Sequence, residues 1–120
     1  MYDHIGLKVR DLDASVRFYT ATLGALGHEL ASHDDSYAGL GPRGAPALWL
    51  YATPGNQAVG THVALRAASR AQVDRFHAEG LKAGGRDNGR PGQRTDYSPN
   101  YYAAFLLDPD GNNVEAVWFE

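Results

Sequence analysis

Two histidines and one glutamate carry the chemistry available to this sequence. His4 and His62 stand at the same point of two copies of one pattern, His-Ile-Gly-Leu-Lys-Val and His-Val-Ala-Leu-Arg-Ala. The constant offset of 58 also takes Leu7 to Leu65, Phe18 to Phe76, Leu23 to Leu81 and Gly27 to Gly85. An ungapped match of this kind indicates a duplicated unit. Duplication places the two histidines at equivalent points about a pseudo-twofold axis, where they can meet on one ion. Glu115 sits among Val114, Ala116, Val117 and Trp118. A carboxylate in such company is costly unless a partner compensates it. Two neutral imidazoles and one carboxylate suit a divalent transition metal that keeps open coordination positions.

The elements that must position these residues can be read from periodicity. Residues 3–9 alternate, with Ile5, Leu7 and Val9 opposite His4, Gly6 and Lys8; period two marks a strand with one packed face. Asp11 reads as the cap of a helix carrying Leu12, Val16, Tyr19 and Leu23 and ended by Gly24 and Gly27. Strands are expected near His28–Ser32, Ser36–Gly39 and Ala47–Ala52. The second unit begins with a strand at 62–67. Its helix is capped by Ser69, with Val73, Phe76, Gly80 and Leu81 on one stripe and a stop at Gly84-Gly85. A polar loop at 86–100 precedes strands at Tyr101–Leu107 and Asn113–Phe119, joined by the turn Asp108-Pro-Asp-Gly111. Residues 54–60 read as the linker. The expectation is one α+β domain over residues 1–120, built from β-α-β-β-β units at about 1–55 and 60–120.

Composition narrows the function classes. The 120 residues are 43% hydrophobic and 21% charged, with a net charge of −3. That balance is globular, and it lacks the broad basic surface that nucleic acid requires. There is no cysteine, so disulfides and thiolate ligands are excluded. No apolar run reaches membrane-spanning length, and no leader pattern precedes the first strand. The expected setting is the cytoplasm, with neither nucleic acid nor membrane as partner.

The His-Ile-Gly-Leu-Lys-Val-Arg-Asp-Leu-Asp-Ala-Ser opening with its Phe-Tyr helix, the His-Val-Ala-Leu start of the second unit and the ending Phe-Leu-Leu-Asp-Pro-Asp-Gly-Asn-Asn-Val-Glu together resemble the glyoxalase/bleomycin-resistance/extradiol-dioxygenase superfamily, the vicinal oxygen chelate fold. The resemblance covers essentially the whole chain. It implies paired βαβββ units that form a cupped, incomplete barrel around a metal, which chelates two adjacent substrate oxygens. Carried over residue by residue, it implies His4, His62 and Glu115 as ligands. The fourth ligand position of glyoxalase I falls on Trp49 when Leu48-Trp-Leu-Tyr is set against Val114-Glu-Ala-Val. Tryptophan cannot ligate, which leaves a three-residue set. Phe105 stands where extradiol dioxygenases and fosfomycin-resistance transferases usually carry a tyrosine.

The resulting expectation is a metal-dependent enzyme of lyase or isomerase type, acting on a small oxygenated metabolite through one divalent ion (Zn, Ni, Mn or Fe). The alternatives are an Fe(II) extradiol-type dioxygenase and a non-catalytic small-molecule or antibiotic-binding resistance protein. Glu115 and Tyr101 are the candidates for proton transfer. Trp49, Tyr51, Tyr97 and Phe105 are the candidate pocket lining. Arg86, Arg90 and Arg94 stud the polar loop and could gather an anionic substrate; a solvated loop is the plainer reading. The other histidines, His28, His33 and His77, read as surface or packing residues. The resemblance also implies a homodimer in which one subunit lends His4 or His62 to its partner's site.

Overall fold

The computed structural model describes residues 1–57 and 60–120. The first unit comprises β1 (Ile5–Val9), α1 (Leu12–Ala25), β2 (Glu29–His33), β3 (Tyr37–Gly41) and β4 (Leu48–Ala52). The second comprises β5 (His62–Arg66), α2 (Arg70–Lys82), β6 (Arg86–Gln93), β7 (Tyr102–Leu107) and β8 (Asn113–Trp118). The strands form two four-stranded mixed sheets of the same topology, β1-β4-β3-β2 and β5-β8-β7-β6. The fold is α+β, as expected, with no closed barrel. The linker read at 54–60 includes Ala58 and Val59, which lie outside the described residues.

Both helices begin where side chains can satisfy free backbone donors. The Asp11 carboxylate accepts from the Ala14 N–H, and the Ser69 hydroxyl accepts from the Gln72 N–H. Gln72 reaches back to accept from the Ala68 N–H, giving a variant of the reciprocal capping box. The first helix runs through Gly24 to Ala25 before it stops. Gly27, just beyond the cap, has φ +88°, the left-handed conformation that turns the chain away.

Each helix lies on its own sheet, and the units join through α1 packed on α2. Phe18, Leu23, Val73, Phe76, Leu106 and Val114 meet in one core. Gly80 makes the crossing possible: a Cβ there would lie 2.3 Å from Leu106 Cδ1 and 2.8 Å from Thr22 Cγ2. Leu81, expected on the buried stripe, is 42% exposed; the buried face of α2 is made by Val73, Phe76, His77 and Gly80. Polar contacts also cross between the units. Tyr19 donates to buried Asp108 in the turn before β8, and Arg10 pairs with Asp110 in the same turn.

The loop expected at 86–100 is half strand. β6 occupies Arg86–Gln93 and pairs antiparallel with β7. It escapes period-two reading because its register shifts between Asp87 and Gly89 and again between Gly89 and Gly92. It is an edge strand rich in Gly and Pro, which bulges and edges accommodate, and it buries no alternating apolar face.

Candidate functional site

The second sheet assembles the densest chemistry. In the parallel pair of β5 and β8, His62 lies opposite Asn113, Ala64 opposite Glu115 and Arg66 opposite Val117. Partners in register share a face, so His62, Arg66 and Glu115 point away from the helices. On β7, Phe105 is opposite Glu115 and joins that face. The face on the other side, with Val63, Val114, Ala116 and Leu106, is buried in the core.

Glu115 is only 3% exposed. One carboxylate oxygen accepts from the Tyr101 hydroxyl, and the other lies 3.1 Å from Nε2 of His62. On the other side of the ring, Nδ1 of His62 is 3.2 Å from the Asn113 carbonyl. A carbonyl can only accept, so Nδ1 carries the hydrogen. With Nδ1 as the donor on one side, it is Nε2 that faces the Glu115 carboxylate. Two acceptors at 3.1 Å repel unless a cation, proton or metal, lies between them. A ligating imidazole that donates its other N–H to a carbonyl is the usual support of a metal-bound histidine. This donor set fits a divalent ion.

Aromatic rings wall this group. The Phe105 ring is nearly parallel to His62, 6.5 Å away between centroids. Tyr101 stacks on Phe119 at 5.8 Å and meets Tyr97 edge-on at 5.1 Å. Burial first, and then the hydrogen bond and charge of Glu115, push the Tyr101 hydroxyl up to about 12. It is therefore a proton donor at neutral pH, and it holds Glu115 in one orientation.

His4 lies elsewhere. Its Nδ1 contacts Asp3 at 2.6 Å, and its side chain is 55% exposed. It borders a hollow of about 410 Å³ on the first sheet, shared with Asp3, Tyr37, Pro46, Trp49 and Tyr51. Gly6 pairs with Trp49 as Ala64 pairs with Glu115, so Trp49 occupies the position of Glu115 in the other unit. One chain thus brings His62, Glu115, Tyr101, Phe105 and, at the rim, Tyr97 together. It keeps His4, Trp49 and Tyr51 apart from them, on the equivalent face of the first sheet. Among the described residues, no three His, Cys, Asp or Glu side chains of one chain group closely enough to hold a metal.

Two side chains that the sequence left between alternatives are placed by the structure. His77 is buried and contacts Asp87 at 2.8 Å, so it is a packing residue that ties α2 to β6. Arg94 lies over the Phe105 ring, its guanidinium 5.5 Å from the centroid, and is part of the site wall. The run of arginines signalled charge without saying which one turned inward.

Comparison with known proteins agrees with this architecture. The family model "Glyoxalase/Bleomycin resistance protein/Dioxygenase superfamily" matches residues 2–116. A glyoxalase/bleomycin resistance protein from Albidiferax ferrireducens T118 is 32% identical, with 98% of this chain and 97% of that one covered and a TM-score of 0.82. A glyoxylase/bleomycin resistance protein/dioxygenase domain from Frankia sp. EAN1pec is 22% identical, with 100% and 98% covered and a TM-score of 0.74; a family enzyme from Burkholderia phytofirmans PsJN is 17% identical, with 96% and 95% covered and a TM-score of 0.73. At these two lower identities the likeness is one of fold. Comparison with curated proteins gives no match. No helix among the described residues is long and apolar enough to cross a membrane. By sequence match and by fold, the chain belongs to the glyoxalase/bleomycin resistance protein/dioxygenase superfamily.

Proposed function

We propose that this chain is a metal-dependent enzyme of lyase or isomerase type acting on a small oxygenated metabolite, with its metal site completed across a homodimer. The observation that carries this reading is Nε2 of His62 facing the buried Glu115 carboxylate at 3.1 Å while Nδ1 is held by the Asn113 carbonyl. His62, Glu115 and His4 of the partner subunit would hold the ion: zinc, nickel, manganese or iron. When bound, such an ion polarises substrate oxygens as a Lewis acid.

The chain's own residues do the remaining work. Tyr101 fixes one Glu115 oxygen, leaves the other toward His62, and stays protonated as a donor beside the substrate. Phe105 and Phe119 supply apolar walls beside His62 and Tyr101. Trp49 and Tyr51, on the first sheet, would form the opposite wall. The dimer is supported by what one chain leaves open. β1 and β5 are both edge strands, and Ile5 and Tyr51 are 38% and 44% exposed. Apposing the two kinds of face across a twofold axis would cover edges and rings together.

The dioxygenase reading draws on one observation. A tyrosine hydroxyl reaches the site from position 101 although position 105 is phenylalanine. Metal analysis of protein purified without added metal tests both readings. Zinc, nickel or manganese supports lyase or isomerase chemistry, and iron supports oxygen chemistry. Loss of the metal in His62→Ala and Glu115→Gln supports the ligand assignment. A folded wild type that binds no divalent ion overturns the enzyme reading in favour of a binding protein.

A further inference from the structure

We infer that the site takes an anionic substrate, with Arg94 and Arg66 receiving a carboxylate or similar group beside the chelating oxygens. This inference rests on the site assignment proposed above. Arg94 lies over Phe105, which faces His62. One terminal nitrogen of its guanidinium donates to the Arg90 carbonyl. Its Nε is buried and has no hydrogen-bond partner. A buried donor left unmade is costly, and an arginine serving only to brace its loop would spend that donor on a neighbouring carbonyl. Glycine lets the guanidinium lie there: a Cβ on Gly89 would meet Phe105 at 2.8 Å and the Arg94 terminal nitrogen at 3.3 Å.

On the other side of Glu115, Arg66 lies 3.9 Å above the Phe119 ring, which stacks on Tyr101. Its terminal nitrogen reaches the Phe119 carbonyl at 3.4 Å. Neither arginine is in an ion pair with any acid among the described residues. Two guanidiniums without acidic partners therefore frame one face, each stacked on a ring of the wall. A planar fork of donors matches carboxylate and phosphate geometry. The substrate class is an oxygenated acid: two adjacent oxygens for the ion, and a negative group within reach of Arg94.

Catechol and 3,4-dihydroxybenzoate present the same adjacent oxygens and differ by one carboxylate. Calorimetric binding of each to the purified full chain loaded with manganese, and to its variants, tests the inference. The wild type should prefer the benzoate by about tenfold, the scale of one charge-assisted hydrogen bond. Arg94→Gln should bring the two affinities together, the benzoate losing more than catechol. Arg66→Gln should reduce the preference, and Arg94→Lys should restore part of it. A wild type without preference, or a preference that survives Arg94→Gln and Arg66→Gln, overturns the inference. Failure to bind either compound also overturns it. His62→Ala separates the two layers. If it weakens both ligands alike, the metal reading stands; if it changes neither while Arg94→Gln abolishes the preference, the anion site stands and the metal reading falls.

Discussion

Trp49 and Glu115 occupy the same place in the two halves of the chain. Trp49 pairs in register with Gly6, and Glu115 pairs with Ala64, at matching points of the repeated units. The duplication has thus diverged at the position that decides ligation. One half presents a carboxylate with a histidine, and the other an indole with a histidine. The Trp49 ring lies flat over Gly39, where a Cβ would come within 2.5 Å of it.

This relationship predicts that Trp49→Glu completes a four-residue set. Zinc or nickel affinity, measured by competition with a chelator, should rise by about tenfold or more, since added carboxylate ligands strengthen divalent sites. An intact fold with unchanged affinity would show that position 49 does not approach the ion in the assembled protein.

Tyr101→Phe should leave the fold intact but release one Glu115 oxygen, weakening metal binding by about 10-fold, as loss of outer-shell partners does. The same variant changes the alkaline limb of stability. The folded Tyr101 value is raised to about 12, above the unfolded value near 10. Its contribution is therefore full below about pH 10 and is lost as pH rises through 12. Denaturant melts across that window should fall more steeply for the wild type than for Tyr101→Phe. Parallel curves would contradict the assignment.

The lock between the units is predicted to depend on Tyr19. Burial, and then Asp108, push its hydroxyl well above the ordinary tyrosine value, and its donor satisfies a carboxylate that is 1% exposed. Tyr19→Phe should cost about 1–3 kcal/mol in urea unfolding, the scale of a buried acceptor left short of a donor. A loss below about 0.5 kcal/mol would mean that the other donors to Asp108 suffice.

Gly80→Ala sets two effects against each other. Alanine gains about 1 kcal/mol of helix propensity. Its methyl would collide with Leu106 and Thr22, and overpacking costs about 1–3 kcal/mol. Leu106 and Thr22 are both fully buried and have little room to give way, so net destabilisation is expected. A more stable variant would contradict the tight α1–α2 crossing.

Much of this was legible in the sequence because duplication and period-two alternation are local signals. His4, His62, Leu7 and Leu65 announced two equivalent strands, and Asp11 and Ser69 announced both helix starts. Glu115 stood out by its apolar neighbours. β6 did not, because Gly89 and Pro91 sit in a bulged edge strand whose alternation is broken. Equivalence of His4 and His62 in sequence also did not say whether one chain brings them together. That depends on how the units pack, and here the helices join them. Tyr101 was named from the sequence, but which arginine of the loop turns inward was not, because that depends on the gap at Gly89, which composition does not reveal.

The central claim is a metal site shared between chains, and mixing two inactive-site variants tests it most directly. His4→Ala and His62→Ala should each bind little metal alone. After chain exchange, a mixed dimer has one site with His62 and Glu115 from one chain and His4 from the other. Random pairing of equal amounts should restore about a quarter of wild-type metal, because half the twofold dimers are mixed and each regains one of two sites. Metal content after exchange that stays at the level of the separate variants would contradict the shared site.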